Sequence, residues 1–250
     1  MLAQGRVCFW HGGSLWIGRG RGRSQWHDHH AHQISLPLQG TCLLRTDESA
    51  GWTEFLGAFV QSERHHQFEI EDLIGAQLFV EPETREGRAL AHRFGDADIC
   101  ALPESDRVAM AKMLLTAYKA GFTDADMVAV ARAAVAVLAG SQSSAASVDP
   151  RIVKALDLIR SRIRGPIRLA DAASAAALSP GRFRHLFVQE TGAAFRAYVL
   201  WHRLNAAIEY SMGGGSWTEA AHEAGFADSA HLTRTFRRMF GMNPATLVRA

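Results

Sequence analysis

Residues 217–244 read WTEAAHEAGFADSAHLTRTFRRMFGMNP, and the rest of the chain is best read outward from them. Ser216 and Glu219 make an S-x-x-E capping box that opens a short helix rich in small residues. Gly225 stops that helix, and Asp228 caps a second one that runs to about Phe240. Leu232, Thr235 and Phe236 fall at i, i+3, i+4 spacing and give the second helix an inward face. The other face carries Ser229, His231, Arg234 and Arg237. Side chains of these types on an open helix face suit base edges and phosphates.

The same unit occurs once more upstream, as LADAASAAALSPGRFRHLFVQETG at residues 169–192. Phe183 pairs with Leu232, Phe187 with Phe236, Gly192 with Gly241 and Ser179 with Asp228, an offset of 49 residues. Ser179 caps the second helix of this copy, with Pro180 at its first position. Phe183, Leu186 and Phe187 face inward, and Arg182, Arg184 and His185 face outward. Ala173 and Ala221 sit where the two helices of each copy cross closely. Ala194–Met212 between the copies reads as a helix of about 28 Å, at about 1.5 Å per residue. Two reading helices so spaced suit successive major grooves, about 34 Å apart on one face of B-DNA. A plain helical bundle does not require one turn chemistry twice at a fixed offset.

At these residues the sequence resembles the AraC/XylS family of transcriptional regulators, over about Val153 to Leu247. A third matching piece, FRAYVLWHRLNAA, begins at Phe195. Gly225-Phe226, His231, Arg234, Phe236, Arg237, Phe240-Gly241 and Pro244 fall where the family has its signature. The resemblance implies that Gly181, Arg182, Arg184 and His185 read DNA from the first copy. Ser229, Ala230, His231 and Arg234 would read it from the second. The sequence departs from the pattern at Gly213–Gly215 and at Trp217, where an aliphatic residue is usual.

The front of the chain has another character. Residues 150–250 carry 14 Lys and Arg against 7 Asp and Glu, whereas residues 1–149 carry 13 against 18. A basic part joined to an acidic one suits a nucleic-acid module attached to something else. Short apolar runs (Val7–Trp10, Leu15–Ile17, Ile34–Leu38, Leu78–Val80) between Gly-rich or charged breaks predict a small antiparallel barrel or sandwich over 1–103. Asp106–Lys119 and Asp124–Leu138, around Gly121, predict a helical hairpin within 104–139 that dimerises. Residues 140–149 read as a linker, and 150–250 as the DNA-binding domain. The expected class is thus α+β and multidomain: a cupin-like β-barrel, a hairpin, then an all-α domain with two helix-turn-helix units. Cys8, Cys42 and Cys100 lack metal-type spacing and read as buried thiols of a reducing compartment. No signal pattern or apolar run of membrane-spanning length is present, so the cytoplasm is the expected location.

The segment GRSQWHDHHAHQISLPLQG at 22–40 holds His27, His29, His30 and His32, and His65 and His66 follow. Gly22 and Gly40 stand where the first cupin motif has its glycines, so the resemblance is to the cupin-like sensor of this regulator family. Gln33 replaces that motif's glutamate, and the second motif is not recognisable around Glu63–Gln67. Packing and ligand contact are therefore preferred here over a metal, for which His27, His29 and His65 are the candidates. No cofactor is expected. His30 and His32 would line a polar pocket, with Trp26, Trp52 and Phe68 as its apolar wall. The expected function is a non-enzymatic, sequence-specific regulator of transcription controlled by a small effector in the barrel. Its partners would be double-stranded DNA, RNA polymerase for an activator, and a second copy of the chain. The alternatives are a metal-dependent cupin enzyme fused to a DNA-binding module, and a regulator without a ligand.

Overall fold

The computed structural model describes residues 1–49, 51–95, 97–140 and 147–249. Most of the expected linker, residues 141–146, lies outside them. The chain forms two compact units, Met1–Ala145 with Arg237–Ala250, and Ala146–Phe236.

The first unit is built on a nine-stranded sheet ordered β8-β6-β3-β7-β2-β1-β9, with β6 at Ala58–Val60 and, off this path, β4 and β5 (Thr53–Phe55). β1 (Leu2–Trp10) and β2 (Gly13–Arg23) form a hairpin closed at Trp10 and Gly13. Gly12 turns it with a φ of +90°, a conformation that costs glycine little. Gly5 and Gly18 pair across this hairpin, where a Cβ on either would stand 2.2 Å from a carbonyl oxygen of the other strand. β7 (Gln67–Val80) is central. One edge pairs with β2; the other takes β4 (Cys42–Arg45) and then β3 (His32–Pro37). The path ends at β8 (Ile99–Ala101) and β9 (Leu247–Arg249). The expected barrel is thus a sheet that does not close among the described residues.

The expected hairpin is α2 (Glu104–Lys119) and α3 (Asp124–Ala139), and Thr123 accepts a bond from the Asp126 amide at 3.2 Å. It shares the core of the sheet. Met110, Leu114, Met127, Ala134 and Leu138 bury with Leu15, Ile17, Ile34, Leu36 and Leu78. Each large side chain so buried contributes about 1.5–3 kcal/mol, so the hairpin covers the sheet with its apolar face. A shorter helix, α1 (Arg85–Phe94), is capped by Thr84.

The sequence places all of 150–250 in one domain, but the last fourteen residues belong to the first unit. The reason is local. β9 pairs in parallel with β1, Ala3 opposite Leu247. The Gln25 amide donates to the Gly241 carbonyl at 2.7 Å. Phe240 packs its ring 4.7 Å from that of Trp16 and 5.6 Å from that of Phe79.

The second unit is helical: α4 (Pro150–Ser161), α5 (Leu169–Ala175), α6 (Pro180–Thr191), α7 (Phe195–Met212), α8 (Trp217–Glu223) and the larger part of α9 (Ser229–Phe240). Asp149 caps α4, with Pro150 at its first position. Ile152, Leu156, Ile159, Phe183, Phe187, Phe195 and Tyr198 form one core around α4–α7. Arg203 on α7 donates to the Ile163 and Gly165 carbonyls at 3.1 and 2.7 Å, which fixes the loop after α4.

Candidate nucleic-acid interface and histidine cluster

α6 and α9 are the two candidate reading helices. Ser179 accepts from the Arg182 amide at 3.4 Å, and Asp228 accepts from the His231 amide at 2.6 Å. These caps satisfy amide groups that the first turn of each helix leaves without a partner. The inward faces are as expected: Phe183, Phe187, Leu232 and Phe236 are fully buried, and Thr235 nearly so. Ala173 and Ala221 are buried at the crossings. On α6, Arg182, Arg184 and His185 are exposed; on α9, Ser229, Ala230, Arg234 and Arg237 are exposed. His231 is half-buried, and its ring meets Phe226 edge-on at 5.2 Å. Arg238, not singled out by the pattern, is also exposed on this helix.

The two turns are alike in bonding but not in sequence. In the first, Leu178 donates back to Ala173 and the left-handed residue is Ala177 (φ +53°). In the second, Phe226 donates back to Ala221 and Gly225 (φ +74°) takes that conformation. The offset is 48 residues up to these turns and 49 after them, because the second turn is one residue longer. Gly215, in the departure from the family pattern, lies against Tyr210, whose ring would meet a Cβ at 2.0 Å.

In the first unit the five residues expected to line one pocket divide among several surroundings, Trp26 and Trp52 sharing one. His30 precedes β3, and its Nε2 bonds Glu83 at 2.9 Å with both side chains buried. Burial opposes its charge, but Glu83, with Glu63 and Glu81, outweighs this and pushes its pKa up to about 10. His30 is thus a buried cation paired inside the unit. His32 lies beside Phe59, accepts from the Ser62 amide at 3.1 Å, and is held down to about 3 by burial and by His30 and His29. Trp26 and Trp52 flank the Arg45 guanidinium at 5.2 and 4.7 Å. Phe68 lines an apolar cleft with Trp16, Ile17, Ile70, Met242 and Leu247. The shared pocket was expected from strand alternation, which does not hold at His30 because that residue is in a loop.

Three other histidines do come together. A ring nitrogen from each of His27, His29 and His66 lies within 4.8 Å of the other two, and all three residues are buried. His65, the expected third member, is exposed and stacks on Trp26 at 5.1 Å. The backbone places His66 instead, through an antiparallel bridge between His27 and His66. Nδ1 of each ring bonds a carbonyl two residues away: Gln25 at 2.9 Å, Ala31 at 2.8 Å and Arg64 at 2.7 Å. A carbonyl only accepts, so each Nδ1 carries a proton and Nε2 is left to act. Burial holds all three rings below the ordinary histidine range, His27 at about 3, and their mutual repulsion depresses His27 and His66 further. The cluster is therefore neutral near pH 7, the form in which imidazole binds metals. Gln33 completes it: its amide oxygen faces Nε2 of His29 at 2.9 Å, while its amide nitrogen donates to Ser35 at 2.8 Å.

Comparison with known proteins bears on both halves. A family described as helix-turn-helix domain matches residues 172–250. Over 88 residues the chain is 33% identical to the transcriptional activator RhrA of Rhizobium meliloti, covering 34% of this chain and 28% of that protein. Over 98 residues it is 32% identical to the regulatory protein PocR of Salmonella typhimurium, covering 38% and 32%. The chain thus spans about a third of the length of the curated relatives it matches. Nearly the whole chain shares the fold of ToxT from Vibrio cholerae O395, with a TM-score of 0.59, 13% identity, and coverage of 94% and 96%. A structure of ToxT from strain SCE256 bound to an unsaturated fatty acid gives a TM-score of 0.55 at 12% identity, with coverage of 98% and 95%.

Proposed function

From the match of residues 172–250 to a helix-turn-helix domain family, we propose that the chain is a sequence-specific DNA-binding regulator of transcription of the AraC type. The observation that carries this is the pair of capped helices, α6 and α9, each with a buried face built on Phe and an exposed face carrying Arg, to which α6 adds the exposed His185. Arg182, Arg184 and His185 read one element of the operator. Ser229, His231, Arg234 and Arg237 read the other, His231 with its inner edge held by Phe226. Base contacts by such side chains discriminate, and phosphate contacts set the register.

The first unit acts as the sensor and performs no chemistry on its ligand. ToxT, which shares the fold, has been seen with a fatty acid bound. The apolar cleft at Trp16, Phe68 and Leu247 offers an apolar effector a place here. Effector binding shifts an existing equilibrium between DNA-competent and incompetent forms. RNA polymerase is the further partner of an activator, and the exposed side of the α2–α3 hairpin is the surface for a homodimer. Such a regulator works in the cytoplasm.

The test is selection of DNA sites by the full-length protein from a random library. Enrichment of a site with two elements about one helical turn apart is expected. Selection of no site, with and without candidate effectors, overturns the proposal.

A further inference from the structure

Three buried histidines bring ring nitrogens within 4.8 Å of one another, and polar atoms buried without a partner are costly. His66 shows this most clearly. Its side chain is fully buried, and its Nε2 has no hydrogen-bond partner among the described residues. A cation between the three rings would give that nitrogen a partner.

The geometry points to a divalent transition-metal site: we propose that His27, His29 and His66 bind one ion of the zinc class, with Gln33 at its edge. Three imidazoles without a carboxylate favour borderline ions such as Zn²⁺, Co²⁺ or Ni²⁺ over Mg²⁺ or Ca²⁺. The backbone carbonyls of Gln25, Ala31 and Arg64 already fix each ring's tautomer and direction, as the outer partners of metal-bound histidines do. The nearby wall is apolar. Phe79 meets the His29 ring edge-on at 5.1 Å, and Phe240 lies 6.2 Å from it.

The site has a second property that bears on the proposed regulator. The loop carrying His27 and His29 is hydrogen-bonded to the C-terminal segment: Gln25 donates to Gly241, and Asp28 donates to Arg238 at 3.3 Å. Gly241 approaches so closely that a Cβ there would stand 2.8 Å from Nδ1 of His27. The ion therefore fixes the loop on which the end of α9 rests. This coupling depends on the regulator reading, whereas the metal site does not.

The experiment is titration of the full-length, metal-free protein with Co²⁺, read by its d–d absorption, and with Zn²⁺, read by calorimetry. One ion per chain is expected. His66→Ala should weaken binding at least about 10-fold, and His65→Ala should leave it unchanged. Gln33→Glu, which supplies a carboxylate beside His29, should tighten it and keeps the test open if His66→Ala does not fold. Absence of stoichiometric binding, unchanged binding in a folded His66→Ala variant, or unchanged or weaker binding in Gln33→Glu overturns the metal site. Hydrogen exchange over 238–249 should slow when Zn²⁺ is added. Exchange that does not change overturns the coupling and leaves the metal site standing.

Discussion

The two helix-turn-helix copies share one plan and differ in how each is secured. The first has its whole core inside the helical unit, where Phe183 and Phe187 pack with Ile152, Leu156 and Tyr198. The second begins there but ends in the other unit, where the last turn of α9, β9 and Phe240 join the sheet. The start of each copy differs in the opposite direction. α8 opens on a complete capping box, and α5 opens at Arg168 with no side-chain cap. A repeat therefore need not be symmetric in stability or in control. The first copy depends on the helical core, while the second ends within the unit built on the sheet.

Four measurements would break or sharpen this contrast. The largest effect is expected from Phe187→Ala, which removes a fully buried ring from the first copy. It should cost about 3–5 kcal/mol in chemical denaturation. A loss below about 1 kcal/mol would mean that the first copy has no core of its own. Next come Arg182→Ala and Arg234→Ala, each weakening specific binding by about 1–3 kcal/mol, with relaxed preference confined to its own element. Equal loss on all sequences would mark the residue as a phosphate contact instead.

Gly225→Ala should cost about 1–2 kcal/mol. The position has a positive φ, and a Cβ would meet the Arg164 carbonyl at 3.0 Å. Thermal unfolding reads this directly, and an unchanged midpoint would show that the second turn relaxes. The smallest change is the reverse one. Ala177→Gly relieves the same left-handed conformation in the first turn and should stabilise by about 0.5 kcal/mol, after the extra freedom of glycine in the unfolded chain is counted. A destabilised variant would mean that the methyl of Ala177 contributes packing that outweighs its strain.

Much of the helical half was legible in the sequence, because caps, turn residues and i, i+3, i+4 spacing are local signals. Ser179, Ser216 and Asp228 each announce a helix start by their own chemistry. The strands were legible as apolar runs, but their order was not, since β7 pairing with β2, β3 and β4 is long-range. The histidines show the same limit. His27 and His29 could be singled out by spacing, whereas the choice between His65 and His66 depends on which one the His27–His66 bridge turns inward. His30 looked like a ligand residue because its partner, Glu83, is 53 residues away. The docking of residues 237–249 on the sheet left no local trace except Gly241, which reads equally well as a helix stop.

That docking changes what a truncation means. β9 covers the outer edge of β1 at Ala3–Gly5, so a fragment of the first unit ending before residue 237 would leave that stretch without a strand partner on that side. Unpaired amides and carbonyls along such an edge are a template for another chain. Self-association of that fragment would then report the missing strand, and should not be read as the native mode of dimerisation.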